Sequence, residues 1–215
     1  LNNLTWTSNA SELTVRELLS LAKDTEIGDR ILLGLGTLCR HLAEENKPEL
    51  ARKVVEVLIA RLKVQQSPEQ TVRVLRAISN SGHDAAFPEV MPFLASEDIK
   101  IRAAAIQSIR LMKSPEIDGI VARHLMKEDT IDTRLAAVSA AQTRKPGKVV
   151  ADALVKLMLS GGDSISRMRA VQLIVQWYPD IPDLKQALVR ISKDDDNEGI
   201  RNIASTALQT GGNGV

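Results

Sequence analysis

The residues that come closest to a reactive site lie together in one apolar stretch of the chain. Cys39 is the single cysteine, and Arg40 and His41 directly after it can lower the pKa of a thiol. No base with an orienting partner accompanies this thiol, so a packed core position is the favoured interpretation. His41 with Glu44 and Glu45 offers a metal ion only one imidazole and two solvated acids. We therefore predict no catalytic residue, no metal site and no cofactor.

Two further patterns imitate ligand sites without completing them. Gly34-Leu35-Gly36 matches part of a dinucleotide-binding fingerprint, but it lies inside a predicted helix, follows no strand and lacks the third glycine. The run Asp194–Asp196 with Asn197 and Glu198 could attract calcium, but Gly199 does not stand at the place that a calcium loop requires. We interpret this run as a helix cap in a loop between repeats, and we expect His83 to cap the helix that follows Gly82.

A small basic cluster surrounds Pro146-Gly147 and consists of Arg144, Lys145, Lys148 and Lys156. No aromatic residue interleaves it, and the net charge of the whole chain is only +1, so we predict no nucleic-acid partner. By default this cluster is a solvated loop. Alternatively, it contacts an acidic protein surface or lipid headgroups. No apolar run reaches the roughly 18 residues of a membrane span, so we predict no transmembrane segment.

The elements that position these residues are predicted to be helices. Hydrophobic residues make up 44% of the chain but aromatics only 2%, so the core must consist of Leu, Ile, Val, Ala and Met. A β-sandwich of this size would carry more aromatic residues and Thr. The helical period begins after Ser11, continues in a helix over 28–45 and resumes at Pro48, which is tolerated at a first helical position.

From residue 67 onwards the chain repeats one design. An acidic or capping turn is followed by an arginine and then by an apolar helix, and the arginines are Arg73, Arg102, Arg134, Arg169 and Arg201. Between these segments lie shorter helices that often begin near a proline, and one of them is predicted over 87–94. A unit of about 30 to 35 residues is one helical hairpin, which buries its apolar face only by stacking on neighbouring hairpins. We predict about twelve helices in an all-α, right-handed α-α superhelix (solenoid) of about six hairpins, without a β-sheet.

The arrangement of acid and arginine on the second helix, with proline early in the first, resembles HEAT repeats and their armadillo-like superhelix. In that family the arginine commonly reaches an acid in the adjacent repeat, which forms a ladder inside the stack. The resemblance implies that the ladder positions are Arg102, Arg134, Arg169 and Arg201. Arg73 matches this position less well, because its acid comes earlier and Arg76 competes with it.

A closer resemblance covers roughly residues 11 to 210. The segment Ala77–His83 is similar to a turn in the helical domain of the large lipid transfer proteins, which include the vitellogenins, apolipoprotein B and microsomal triglyceride transfer protein. Stretches like Ile101–Ile106 and Asp132–Ala137 follow in that domain, and residues 28–45 resemble its long helix. In those proteins β-sheets that flank the helical domain form the lipid cavity. The resemblance therefore implies the helical module, with lipid binding only where such β-domains are added.

We assign residues 11–210 to a single HEAT-like domain, residues 1–10 to a disordered or linking N-terminal end, and residues 211–215 to a C-terminal linker. The main functional hypothesis is a non-catalytic scaffold that binds a protein partner on the concave face of the helical stack. The candidate partner-binding residues are polar positions that flank the ladder, namely Gln107, Arg110, Gln142, Gln172 and Gln176. The alternatives are the helical module of a lipid-transport protein and a HEAT-like lyase.

Overall fold

The computed structural model describes residues 11–22, 25–64, 67–127, 130–160 and 162–211, without the side chains of residues 25–29. The chain divides into two compact units, Leu1–Ser114 and Pro115–Val215. Throughout the described ranges the secondary structure is helical and no strand occurs, so the prediction of an all-α fold is confirmed. The predicted N-terminal segment 1–10 and residues 212–215 of the predicted C-terminal linker 211–215 lie outside the described residues, whereas Gly211 ends α12 as its C-cap.

The first unit contains six of the α-helices. Their bounds are α1 (Glu12–Leu21), α2 (Thr25–Glu44), α3 (Pro48–Lys63), α4 (Pro68–Ser81), α5 (Phe87–Val90) and α6 (Ile99–Ser108). The helix that we predicted over 87–94 is broken, because 3-10 turns at 84–86 and 91–95 flank the single α-helical turn α5. Pro92 has no N–H to donate to the carbonyl of Pro88, four residues earlier, so a continuous α-helix cannot form there.

The second unit contains the other six helices. Their bounds are α7 (Ile117–Lys127), α8 (Ile131–Gln142), α9 (Lys148–Leu159), α10 (Ser164–Trp177), α11 (Leu184–Asp194) and α12 (Glu198–Thr210). Helix α9 packs on α7, α10 and α11, while α10 packs on α8 and α12. This is the contact pattern of stacked helical hairpins. The described residues thus contain twelve α-helices, as the repeat pattern predicted.

Side-chain caps explain where many of these helices begin. The Ser67 hydroxyl accepts the N–H of Gln70 at 3.3 Å, and the Gln70 side chain accepts the N–H of Ser67 at 3.1 Å, so α4 starts with a capping box. Asp98 caps α6 by accepting the backbone N–H groups of Lys100 and Ile101 at 2.8 and 3.1 Å. Such caps satisfy donors that have no partner inside the helix.

Two of our predictions about caps are confirmed. His83 caps the next element, because its Nδ1 accepts the N–H of Ala85 at 3.2 Å at the start of a 3-10 turn. The acidic run also supplies the cap of α12, through Asn197 and not through one of its aspartates. Asn197 accepts the N–H of Ile200 at 3.2 Å, which leaves the aspartates available for other contacts.

Small residues set how closely the helices of the first unit approach each other. An ideal Cβ built on Gly36 of α2 would lie 2.0 Å from the carbonyl oxygen of Ala77 in α4. Leu35, Leu38 and Ile78 around this crossing are fully buried. Gly36, which imitated a dinucleotide fingerprint in the sequence, therefore serves helix packing, because only a residue without Cβ fits against the α4 backbone.

Candidate functional site

The ladder of arginines is built on a shared position in the second helix of four hairpins. Four helices carry an arginine four residues after the N-cap, and these are Arg102 in α6, Arg134 in α8, Arg167 in α10 and Arg201 in α12. A residue at this place lies about one turn inside the helix and can fold back over the loop that precedes it. That preceding loop contains the acidic residues of the repeat design and backbone carbonyl groups that have no partner inside a helix.

Two of these arginines bind the loop of their own hairpin. Arg102 donates hydrogen bonds to the carbonyl oxygens of Ser96 and Glu97. Arg201 donates to the carbonyl oxygens of Asp195 and Asp196 at 2.7 and 3.2 Å. These contacts close the loop onto the helix, because a cationic guanidinium satisfies two backbone acceptors that would otherwise face solvent.

Arg134 and Asp163 connect consecutive hairpins. The guanidinium donates to the Asp163 carboxylate at 2.5 Å, and the two side chains are 15% and 26% exposed. Partial burial by itself would raise the pKa of Asp163. The hydrogen bond from the backbone N–H of Ser166 and the positive charge of Arg134 outweigh that effect and lower the pKa below its ordinary value. The Asp163 carboxylate therefore stays ionised. It caps α10 and also forms the ion pair with Arg134.

The next arginine contact is made by Arg167, not by Arg169, where we had expected it. Arg169 is exposed, and its guanidinium donates to Gln172 of its own helix at 3.4 Å. Arg167 is buried and donates to the carbonyl of Gly162 at 2.5 Å. It also forms ion pairs with Asp195, at 3.2 Å, and with Asp196. Counting four residues from the capping Asp163, as from Asp98 to Arg102, would have identified Arg167.

The structure places the five candidate partner-binding residues in two environments. The side chains of Gln142, Gln172 and Gln176 are exposed on α8 and α10 of the second unit. Gln107 and Arg110, at the end of α6 and just beyond it in the first unit, are half-buried. The carbonyl oxygen of Gln107 accepts the Ser79 hydroxyl at 2.9 Å. That these residues bind a partner stays a prediction.

A groove that we did not predict lies in the first unit between α2, α4 and α6. Its apolar surface comes from Leu33, Val72 and Ile99, of which Leu33 is 46% and Ile99 39% exposed. Side chains of both charge signs surround it, namely Glu69, Arg73, Arg76, Glu97, Asp98 and Lys100. No signal in the sequence indicated this groove, because the exposure of Leu33 and Ile99 is known only once the helices are packed.

A comparison with protein families shows which family this chain belongs to. A family model described as the Vitellogenin TPR domain matches residues 1–161. The chain belongs to this family. The match includes Ala77–His83 and Asp132–Ala137, on which the resemblance to the large lipid transfer proteins rested, so that prediction is confirmed. No curated protein sequence matches the chain.

The Vitellogenin TPR domain match ends before α10, yet α10 and α12 carry the same capped-helix design with Arg167 and Arg201. The tetratricopeptide pattern of Trp, Leu-Gly and Tyr in each unit does not occur in the sequence, although the family description uses that name. The assignment of the repeats to HEAT repeats in an armadillo-like superhelix stays a prediction.

The single cysteine of this Vitellogenin TPR domain is a core residue. Cys39 is fully buried and donates its thiol proton to the carbonyl of Ala51 at 3.3 Å. Burial raises the pKa of the thiol to about 12, and a backbone hydrogen bond offsets this only in part. The thiolate that a covalent chemistry would need is therefore strongly disfavoured. Among the described residues no group of three His, Cys, Asp or Glu side chains is placed to hold a metal ion.

The predicted basic cluster separates into side chains with different roles. Arg144 is largely buried and forms an ion pair with Asp118 of α7. Lys148, Lys156 and Lys145 are exposed, and the first two line a groove on α9. Across the described residues, none of the helices has the length and apolar character needed to cross a membrane.

Proposed function

We propose that the chain is the helical module of a lipid-transport protein. The observation that carries this proposal is the match of the Vitellogenin TPR domain model to three quarters of the chain, residues 1–161. In the lipid transfer proteins that the chain resembles, the helical domain braces β-sheets that form the lipid cavity. We assign the same bracing role to this chain, and we expect lipid to be held by other domains.

The contacts between hairpins support a bracing role. Arg134–Asp163 and Arg167–Asp195 each join the second helix of one hairpin to the loop of the next, with side chains that are mostly removed from solvent. Charge-assisted hydrogen bonds of this kind hold a defined geometry better than apolar contacts alone, because they are directional. A stack held in this way can keep its surface in a constant shape for a neighbouring domain.

The test compares two samples, the chain alone and the polypeptide that contains it in its natural context. Both are purified and extracted, bound lipids are identified by mass spectrometry, and transfer of fluorescent phospholipid between donor and acceptor vesicles is measured. We expect bound lipid and transfer with the larger polypeptide only. A larger polypeptide that neither binds nor transfers lipid would contradict the proposal. Lipid bound by the chain alone would replace the bracing role with direct lipid sequestration.

A second candidate function is the protein-interaction scaffold, which the groove between α2, α4 and α6 favours. Leu33 and Ile99 expose apolar surface there, with Arg76 and Lys100 beside it. Exposed aliphatic residues surrounded by charges are characteristic of a protein-binding surface.

The scaffold is tested by a salt-washed pull-down with the chain as bait. We expect one retained protein at near-stoichiometric level, whose binding is lost in Leu33→Asp and kept in Lys53→Glu, a change at an exposed position of α3. Circular dichroism verifies that both variants remain helical. Equal retention by both variants would remove this groove as the binding surface.

A further inference from the structure

The first unit ends in a segment that packs against the turn after α4. We call residues 109–114 the end segment and residues 81–86 the His83 turn. Gly82 has a φ of 59°, a left-handed conformation that favours glycine, and an ideal Cβ on it would lie 2.8 Å from the Cβ of Leu111. The end segment therefore lies directly on the turn, and its position depends on the conformation of the turn.

Two side-chain hydrogen bonds join the conformation of the His83 turn to the end segment. The Nδ1 of His83 accepts the backbone N–H of Ala85 at 3.2 Å. The carboxylate of Asp84, which lies between these two residues, accepts the backbone N–H of Lys113 at 2.6 Å. The cap made by His83 thus orders the peptide units that carry Asp84, because a side-chain cap fixes the first residues of the element that follows it.

Only the neutral form of the His83 imidazole can accept the N–H of Ala85. In that form Nδ1 is the acceptor and Nε2 carries the proton, whereas a second proton turns Nδ1 into a donor. Histidine is the side chain whose ordinary charge change falls between about pH 5 and 8. The added proton also places a cation next to Asp84, and the cation competes with the N–H of Lys113 for the carboxylate.

The other charged groups around the His83 turn do not include a histidine. Helices α3 and α5 pack against the 3-10 turn that follows His83. In α3, Arg52 pairs with Glu49 and Glu56 at 3.4 and 2.9 Å. Lys63 of α3 pairs with Glu89 of α5 at 2.8 Å. The remaining charged side chains of these two helices and of the end segment are Lys53, Arg61, Arg110 and Lys113.

We infer that the His83 turn is a proton-sensitive clamp on the end segment of the first unit. At neutral pH the imidazole caps Ala85, and Asp84 holds the N–H of Lys113. As the pH falls through the range in which histidine gains a proton, the cap is lost and the hold on the end segment weakens. The clamp depends on contacts within the first unit alone, so it does not rest on the proposed function.

Amide hydrogen exchange of the purified chain, followed by NMR at about pH 7.5 and about pH 5.5, tests the clamp. Protection factors are compared, because they correct for the pH dependence of exchange itself. His83→Asn keeps an acceptor oxygen that does not titrate, and His83→Ala removes the acceptor. The controls His41→Gln and His124→Gln each remove one of the other two histidines. Circular dichroism verifies that each variant remains helical.

At the higher pH we expect the nitrogen spectrum of His83 to show the tautomer that is protonated on Nε2. The protection factors of Ala85 and Lys113 should fall about fivefold at the lower pH in the wild type and in both controls. They should stay constant in His83→Asn and be low at both pH values in His83→Ala.

The inference is overturned if His83 is protonated on Nδ1 at the higher pH, or if the wild type is equally protected at both pH values. It is also overturned if protection falls in His83→Asn as it does in the wild type. A fall that disappears in His41→Gln or His124→Gln would assign the proton sensitivity to that histidine instead.

Discussion

The guanidinium of Arg167 and the carboxylate of Asp195 form an ion pair at 3.2 Å, although their side chains are only 7% and 6% exposed. The backbone N–H of Asn197 donates to the same carboxylate at 2.9 Å, and Arg167 also donates to the carbonyl of Gly162. The pair therefore joins the loop before α10 to the loop before α12. A buried pair of this kind is costly to break by removing Arg167, because the buried Asp195 carboxylate would then lose the cation that compensates its charge.

We expect Arg167→Ala to lower the free energy of unfolding of the second unit by about 3–5 kcal/mol, since Asp195 loses its cation while it stays buried. Arg169→Ala is the matched control, two residues away on the same helix, and should change stability by less than about 0.5 kcal/mol because Arg169 is exposed. Urea unfolding followed by circular dichroism measures both. Equal losses in the two variants would refute the assignment of Arg167 to the ladder.

The depressed pKa of Asp163 makes its contribution to stability dependent on pH. The folded pKa lies below the unfolded value of about 3.9, so the stabilisation is present above that value and is lost as the pH falls through the folded pKa. Asp163→Asn keeps a residue that can cap α10 but removes the charge that attracts Arg134. We expect a loss of about 1 kcal/mol at pH 7 that disappears as the pH falls below about 4.

Urea midpoints of the wild type and Asp163→Asn between pH 7 and pH 3 measure this difference. Asp132→Asn is the control, since Asp132 is an exposed first-turn aspartate of α8. A gap between wild type and Asp163→Asn that stays constant over the whole pH range would show that the carboxylate charge contributes nothing.

Gly36 and Gly119 should respond in opposite directions to substitution by alanine. A Cβ at Gly36 would lie 2.0 Å from the Ala77 carbonyl oxygen, whereas a Cβ at Gly119 meets nothing within 4 Å. We expect Gly36→Ala to destabilise by at least about 2 kcal/mol, because α2 and α4 must move apart. Gly119→Ala should stabilise by up to about 1 kcal/mol, because alanine is the better helix former. Thermal unfolding of both variants tests this, and a neutral Gly36→Ala would mean that the helices separate at no cost.

Cys39 should resist alkylation in the folded protein. Its thiol is fully buried and has a pKa raised to about 12, so about one molecule in ten thousand carries the thiolate at pH 8. We expect no mass shift with iodoacetamide over the time in which the urea-unfolded chain is fully modified. Rapid modification without urea would instead reveal local opening between α2 and α3, and would revive a chemical role for the thiol.

Local interactions allowed the sequence to determine the helices and many of their beginnings. The residues of a capping box or an apolar stripe lie within a few positions of each other, so Ser11 and Pro48 indicated helix starts without knowledge of the fold. The motif around Ala77–His83 also indicated the family, because the order of residues in a turn is itself a local feature. The break at Pro92 is local too, and counting four residues back to Pro88 would have predicted it.

Only the tertiary structure decided which side chains meet across hairpins. Arg167 and Arg169 are two residues apart, which places them about 200° apart around α10, so one faces the next hairpin and the other faces solvent. Both carry the same charge, but only Arg167 stands four residues after the N-cap Asp163, and the packing of α10 against α12 decides that its partner is Asp195. The fit of Gly36 against Ala77 and the groove between α2, α4 and α6 likewise depend on contacts between distant segments. The sequence alone thus determined the helices, while the packing of one helix on another determined the sites.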